Sequence, residues 1–498
     1  MRPPATITRL RPRQPTPPTA LQLATTTSLA PPPAPSRQTQ TRSFSRLFPP
    51  TPVDPRRRAA STSASNTDWL AWLKKAGPLS VLSGDETPRR ALILPGLGSY
   101  PHTPQAATPS SIAVWEQASE ALLNPDATIG YWTEGMEEFA GMLQGGGGHG
   151  MRGWLRGWVE GRSLDELMAR ADVTAAFILS SSIAILASEQ ERSGSSSLLP
   201  RGTGYLAGHG FVGTLTALVA SGRLDLTTGV RLARMYASLP AAPASLPNQR
   251  HSTTVLSARH YHSLSSPSQS VPFEDPFGEW GDVQRRKRAM QLILDEVHAL
   301  QHEWEVEGQG DWAEAAVINS SKVLSVTGTS MAVEQLIDRL QSLTLANPVM
   351  EVKMPCPYHT RLMLHAVPKF ADTLQRCIFS HAKEGDPVIL DPITTRNICG
   401  SPEGALLSHL TNQLRWHKTL TRIYSQPSPP VDQFLTVGRG AKGLGVMLRG
   451  ELKKRPAGAP AISVDEYGVQ EAQRAEEGAS SRSANTRPVR PVRIPARL

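Results

Sequence analysis

An α/β fold in two parts is predicted for this chain of 498 residues, and three observations carry the prediction. A short apolar strand, Tyr205-Leu206-Ala207, runs through a glycine-flanked turn into an apolar helix, Phe211 to Ala220. A second strand, Arg90 to Leu94, also ends in glycines, which let backbone N–H groups approach a ligand. Two strands and a helix follow one another between residues 316 and 343, as in a small α+β subdomain.

The turn Gly208-His209-Gly210 stands where a nucleophile elbow would place its reactive residue. In an elbow, a sharp turn between strand and helix lifts one side chain over the helix N-terminus. The pattern requires Ser between His209 and Phe211, and this chain has Gly210 there. We therefore expect the backbone of such a site without its nucleophile.

The spacing of apolar residues predicts most of the remaining elements. One helix, for example, is predicted over 285–305 by apolar residues that share a face: Ala289, Leu292, Ile293, Val297 and Leu300. The other predicted elements are helices over 111–123, 164–189, 332–343 and 362–377, and strands over 386–390 and 434–437, the last in the chain. The glycine-rich stretch 131–165 is interpreted as a surface insertion, and the segment 238–282 as a loop because it is rich in Ser, Pro and His.

The net charge of +9 comes from the N-terminus and not from a binding face. Residues 1–60 hold ten arginines, no lysine and a single acid, Asp54, which also sums to +9. The remainder is close to neutral, so the charge does not favour a nucleic-acid partner. Residues 1–60 are rich in Arg, Ser, Thr and Pro and have no long apolar stretch, which is typical of a mitochondrial transit peptide. The alternative is a plain disordered tail.

Cysteine usage and hydropathy argue against three further features: a disulfide framework, a zinc site and a membrane span. Three cysteines without CxxC spacing argue against a disulfide framework or a zinc site: Cys356, Cys377 and Cys399. Nothing approaches 18 consecutive apolar residues, so no membrane span is expected. The polar segment 455–498 is predicted to be a disordered tail.

Six segments in one consistent order resemble the malonyl-CoA:acyl-carrier-protein transacylases. They are LPGLGSY (94–100), AGHGFVGTLTALVASGRLDLTTGVRLARM (207–235), INSSKVLSVTG (318–328), MPCPYHTRLM (354–363), RW (415–416) and FLTVGRG (434–440). Each is weak alone, whereas the ordered set over residues 90–450 is specific. The resemblance implies an α/β-hydrolase-like large domain, residues 88–247 and 354–452, with a ferredoxin-like small subdomain, residues 248–353, inserted after the elbow helix.

The resemblance also implies a chemistry and its partners. In that family a serine takes malonyl from malonyl-CoA and passes it to the phosphopantetheine thiol of acyl carrier protein, without a bound cofactor. The implied partners are therefore acyl carrier protein and a coenzyme A thioester, with no nucleic acid and no membrane span. The implied protein is a monomer of the mitochondrial matrix.

The family's catalytic positions map onto this chain one by one. Its serine falls on Gly210, and the histidine that deprotonates it falls on His359. Its oxyanion hole falls on the backbone N–H groups of Leu97 and Phe211, which survive a change of side chain. The arginine that binds the malonyl carboxylate falls on Tyr236.

Three polar residues complete the implied pocket. The glutamine that supports the catalytic histidine falls on His409, Asn319 is retained, and His209 stands in the elbow turn. From the residues alone, structural roles are favoured for His209 and His409, and a helix-capping or partly buried role is open for His359.

The chain departs from the family pattern at two positions, so the resemblance predicts the family's fold without predicting its activity. Without a side-chain oxygen at position 210 no acyl-enzyme forms, and without an arginine at position 236 bidentate recognition of a carboxylate is lost. Three functions therefore stay open. They are a transacylase of mitochondrial fatty-acid synthesis, a non-catalytic scaffold that binds acyl carrier protein or acyl-CoA, and a slow thioester hydrolase in which His359 activates water.

Residues 1–60 are expected to be removed on mitochondrial import, with cleavage near Phe44 or further on. Arg42 stands shortly before the small residue Ser43, as at matrix-protease sites. N-terminal sequencing of the protein from isolated mitochondria checks this. An intact Met1, or protein confined to the cytosol, contradicts it.

Overall fold

A computed structural model describes residues 88–98, 108–123, 171–246, 248–259, 282–308, 310–425, 430–455 and 458–468. These residues belong to one compact unit that begins at Asp85. The predicted transit peptide and the predicted insertion at 131–165 lie outside the described residues.

The larger sheet has five parallel strands. In sheet order they are β7 (Val388–Leu390), β2 (Thr203–Gly208), β1 (Arg90–Leu94), β8 (Gln433–Val437) and β9 (Ser463–Tyr467). On β1, Leu92 and Leu94 face one hydrophobic cluster, while Ala91 and Ile93 face another. Burial on both faces explains why β1 is a continuous apolar run and not an alternating one.

Helices cover both faces of this sheet. The first cluster is built with α1 (Pro109–Leu123), α2 (Ala171–Ser193), α3 (Gly210–Ala220), α4 (Leu226–Ala237), α7 (Val367–Gln375) and α8 (Glu403–Ser408). The second is built with α9 (Trp416–Ser425) and α10 (Lys442–Leu452). The large part is thus a layered α/β structure, as predicted.

Helix α2 is long and apolar enough to cross a membrane over Val173–Ser193, alone among the helices in the described segments. Within this fold, 89% of its apolar window is buried. Ser180 and Ser182 interrupt the apolar sequence, and their hydroxyls donate to the carbonyls of Ala176 and Ile178 one turn earlier. A helix at the centre of a folded core meets the same criteria of length and composition.

The smaller sheet is antiparallel, in the order β4-β5-β3-β6. Its strands are β3 (His251–Ala258), β4 (Ala313–Ile318), β5 (Val323–Thr329) and β6 (Ala346–Glu351), and its helices are α5 (Asp282–Glu307) and α6 (Ser330–Ser342). Along the chain the order is strand, helix, strand, strand, helix, strand. The helices pack on one face with Leu256, Leu324 and Val326, while the intervening residues of β3 and β5 face a cavity.

Two predictions about irregular segments were wrong in part, and residues 260–281 and 469–498 of these segments lie outside the described residues. The segment 238–282 contains β3, a central strand of the small sheet, whose cavity face carries polar residues and so hid the strand pattern. The segment 455–498 contains β9, which joins the large sheet beside β8 and buries Val464 as its one core residue. Backbone pairing in place of hydrophobic patterning holds β9, so composition alone could not reveal it.

The helix predicted over 362–377 is divided. Arg361–Ala366 is a 3-10 helix, and α7 begins only at Val367, next to Pro368. Proline in the first turn of an α-helix is favoured because its missing N–H has no intrahelical partner there. The sequence therefore predicted the segment but not the boundary that proline imposes.

Replacing Gly208 with Ala is expected to lower the free energy of unfolding by about 1–3 kcal/mol, the usual range for overpacking. A Cβ at Gly208 would lie 2.0 Å from the backbone carbon of Gly213 on α3. Gly204→Ala, in the same strand, is the control, because a Cβ there meets nothing within 4 Å. Its effect is expected to stay within about 0.5 kcal/mol. Urea unfolding of both variants checks this, and equal losses would contradict it.

Candidate active site

A single residue, His209, connects strand β2 to helix α3, and close contacts fix this turn from both sides. Its N–H donates to the Leu94 carbonyl at 3.0 Å. A Cβ at Gly96 would lie 2.0 Å from the His209 carbonyl oxygen, so only glycine fits there. The predicted sequence of strand, sharp turn and helix is therefore present.

Gly210 occupies the elbow position in the left-handed region, with φ of +66°. A Cβ built on Gly210 would lie 3.9 Å from Nε2 of His359 and within 4 Å of no other atom outside the turn. A side-chain oxygen on that carbon would come within hydrogen-bonding reach of the imidazole. The two positions predicted for nucleophile and base thus face one another, and the first carries no side chain.

The tautomer of His359 follows from its hydrogen bond. Its Nδ1 lies 3.2 Å from the carbonyl oxygen of Asn412. A carbonyl can only accept, so Nδ1 holds the proton and Nε2 offers its lone pair towards Gly210. Burial and the neighbouring His409 lower the pKa of His359 to about 3, against the opposing effect of the Asn412 bond. His359 is therefore a neutral acceptor at physiological pH.

His409 lies beside His359 with a ring-centroid separation of 5.7 Å. Its Nε2 is 3.4 Å from Oγ1 of Thr214, whose hydroxyl donates to the Gly210 carbonyl. Its Nδ1 is buried without a hydrogen-bond partner among the described residues, and burial lowers the pKa of His409 to about 3. The group that orients His359 is instead the Asn412 carbonyl, which no side-chain pattern could have indicated.

His209 and Asn319 join the two sheets. Nε2 of His209 lies 3.0 Å from Oδ1 of Asn319, which directly follows β4. The His209 ring also packs edge-on against Trp416, with ring centroids 5.1 Å apart. Burial lowers the pKa of His209, and its bond to Asn319 opposes that shift. This contact ties the elbow turn to the small sheet.

Tyr236 stands within an aromatic stack. Its ring lies 4.0 Å from that of Phe211 and 4.2 Å from that of Tyr358, and both pairs are nearly parallel. Its hydroxyl donates to the carbonyl of His409 at 3.5 Å. Burial raises the pKa of Tyr236 well above its usual value. The position predicted for a carboxylate-binding arginine is therefore neutral and apolar.

Backbone donors remain at the elbow. Helix α3 begins at Gly210, so the Phe211 N–H belongs to the first turn, where amides have no intrahelical acceptor. Leu97 and Phe211 line the same cavity as Gly210. The first turn of a helix also carries the positive end of its dipole. This arrangement suits a carbonyl oxygen that gains negative charge.

A cavity of about 840 Å³ includes the elbow and extends between the two sheets. Cys356 lines it, but its thiol donates to the Leu239 carbonyl at 3.0 Å. Burial raises the pKa of Cys356 to about 12, so it does not supply a thiolate in place of the missing serine. The described residues contain no group of three side chains placed to hold a metal ion.

Comparisons with known proteins agree with this geometry at the level of the fold. No protein-family model and no curated protein matches the sequence. Among solved structures, the malonyl-CoA:acyl-carrier-protein transacylase of Coxiella burnetii is 16% identical with a TM-score of 0.50, over 78% of this chain and 97% of that one. The transacylase of Xanthomonas oryzae is 16% identical with a TM-score of 0.51, over 79% of this chain and 98% of that one. The acyl-carrier-protein S-malonyltransferase of Burkholderia pseudomallei is 16% identical with a TM-score of 0.51, over 78% and 99%.

The chain has the transacylase fold. At 16% identity these likenesses show the fold and leave the activity open. Within this transacylase fold, the elbow, His359 and the cavity belong to one site, in which Gly210 and Tyr236 stand where the resemblance implies a serine and an arginine.

Burial lowers the pKa values of three histidines, His209, His359 and His409, and makes the stability of this transacylase fold depend on pH. The pKa values of His359 and His409 are lowered to about 3, so between pH 6.5 and 3 the unfolded chain binds protons that the folded chain does not. The free energy of unfolding is therefore expected to fall as the pH drops below about 6.5, by at most about 1.4 kcal/mol per pH unit for each histidine.

His409→Gln is expected to remove one of these three contributions and so to flatten the dependence. Urea unfolding at pH 7, 6 and 5 checks this. Parallel profiles for the variant and the unaltered protein would show that His409 does not take up the proton.

Proposed function

We propose that this protein binds acyl thioesters of coenzyme A and acyl carrier protein in a transacylase site that forms no acyl-enzyme. The position of Gly210 carries the proposal. Its φ is +66°, and a Cβ there would lie 3.9 Å from Nε2 of His359. The base, the backbone donors and the cavity surround a position that has no nucleophile.

The absence of a side-chain oxygen at position 210 is expected to lower the rate of acyl transfer more than the remaining groups can raise it. Two-step acyl transfer requires a nucleophile to hold the acyl group between donor and acceptor. Loss of the serine in a Ser–His–Asp hydrolase costs about six orders of magnitude in turnover, as subtilisin illustrates. The surviving amides at Leu97 and Phe211 can still bind a thioester carbonyl. Binding is therefore the function that these residues favour over transfer.

Hydrolysis by a water molecule at the Gly210 position is the second candidate. The acceptor Nε2 of His359 favours it, because that atom faces the vacant side-chain position. A general base works best when its pKa lies near the working pH, and the pKa of His359 is lowered to about 3. His359 is thus a weak base, and any hydrolysis that it promotes is slow.

The same proposal includes the fold of each part, the ligands, the oligomeric state and the location of the protein. The large part is proposed to be α/β-hydrolase-like and the small part ferredoxin-like, which the order of strands and helices in each supports. Acyl carrier protein and coenzyme A thioesters are proposed as ligands because the solved neighbours are named for them. A monomer in the mitochondrial matrix, with a role in fatty-acid synthesis, is proposed from the arginine-rich N-terminus and from the resemblance.

Intact-mass measurement after incubation with acetyl-CoA or malonyl-CoA tests the proposal. The unaltered protein is expected to acquire no adduct. Gly210→Ser is expected to become acylated, because it returns an oxygen to the space facing His359. A stoichiometric adduct on the unaltered protein would overturn the proposal.

Gly210→Ala is the matched control for the serine variant. Both variants place a Cβ at a left-handed residue, and both are expected to lose about 1–2 kcal/mol of stability. Only the serine variant is expected to gain an acyl group. If a folded Gly210→Ser protein takes up no acyl group, the site has lost more than its nucleophile.

A further inference from the structure

The cavity beside the elbow is nearly free of charge. Among the described residues that line it, Lys442 alone is a Lys, Arg, Asp or Glu. Its ammonium group lies 3.7 Å from Glu466, and its side chain is 57% exposed. The three aromatic rings beside the elbow, Phe211, Tyr236 and Tyr358, supply no cation. A malonyl carboxylate would therefore be buried next to Gly210 without a charged partner, which is costly.

Apolar side chains form much of the wall between the elbow and α10. Val255 and Val323 on the small sheet, Met354 after β6, and Leu444 and Met447 on α10 all line the cavity. Methionine side chains are unbranched and flexible, so they adapt to ligands of different length. The volume of about 840 Å³ exceeds what an acetyl or malonyl group needs and falls in the usual range for larger organic ligands.

Apart from Lys442 on α10, the polar side chains that line the cavity lie at the elbow end and along one row of hydroxyls. His359, Gly210 and the amides of Leu97 and Phe211 form the elbow end. On the small sheet, Thr253 and Thr327 are paired through their hydroxyls at 3.0 Å, which partly satisfies both groups. A ligand with one polar head and a long apolar chain matches this distribution.

We propose that this cavity binds the linear, uncharged acyl chain of a pantetheine thioester, in preference to malonyl. The thioester carbonyl lies at the elbow amides, and the chain runs along the small sheet towards α10. The inference rests on the thioester binding proposed above and adds the class of acyl group. The carrier of the thioester is either coenzyme A or acyl carrier protein.

The dissociation constant is expected to depend on chain length. Each methylene that moves from water into the cavity tightens binding about fourfold. Titration of the full-length protein with acetyl-, butyryl-, hexanoyl- and octanoyl-CoA, followed by calorimetry, measures this slope. Malonyl-CoA is expected to bind no more tightly than acetyl-CoA. The same acyl groups on acyl carrier protein form a second arm, and a slope on either carrier supports the proposal and identifies the source.

A matched pair of variants on the small sheet localises the effect. Val255→Trp places a large ring on the cavity face of β3 and is expected to abolish the slope. Val349→Trp makes the same exchange on β6, where Val349 is 60% exposed and does not line the cavity, and is expected to keep the slope.

Four results would overturn the inference. A dissociation constant independent of chain length, or tightest binding of malonyl-CoA, would refute the acyl-chain assignment while leaving thioester binding intact. Failure of every thioester to bind, acetyl- and malonyl-CoA included, would refute the proposed function together with the inference. An unchanged slope in a folded Val255→Trp protein would place the chain outside this cavity.

Discussion

Close backbone packing between strand β2 and helix α3 is the constraint on which the site depends. Gly208 and Gly213 approach so closely that a Cβ on either would lie within 3 Å of the other's backbone. This approach sets the direction in which α3 leaves the sheet, and with it the position of Gly210 and of the amides in the first turn. The cavity, the aromatic stack and the three histidines are arranged around a turn that only small residues permit.

The sequence predicted the strands and helices whose apolar residues form a clear pattern. β1, β2 and α3 are apolar runs bounded by glycine, and they lie where the pattern placed them. It did not predict β3, whose cavity face is polar, or β9, which is held by backbone pairing. At the site, the resemblance to the transacylases implied that His359 faces position 210. The bond from His359 to the Asn412 carbonyl and the stacking of Tyr236 arise from tertiary structure, which a residue pattern does not record.

The site differs at two positions from the one that the resemblance implies. Gly210 removes the group that would hold an acyl intermediate, and Tyr236 stands in a neutral aromatic stack where the resemblance implies a cation. Both changes reduce polarity beside the elbow, while the backbone frame is retained. The proposed binding of a thioester without acyl transfer rests on these two residues together.

The C-terminal strand has a consequence for the edge of the large sheet. β9 pairs along the whole of β8, whose residues Phe434, Leu435 and Val437 are buried. A chain shortened before residue 463 would expose β8 as an apolar edge, and such edges promote association with other chains. β9 itself carries Asp465 and Glu466, and charged side chains on an edge strand oppose that association. A strand from a segment whose composition predicted disorder thus covers the apolar strand β8.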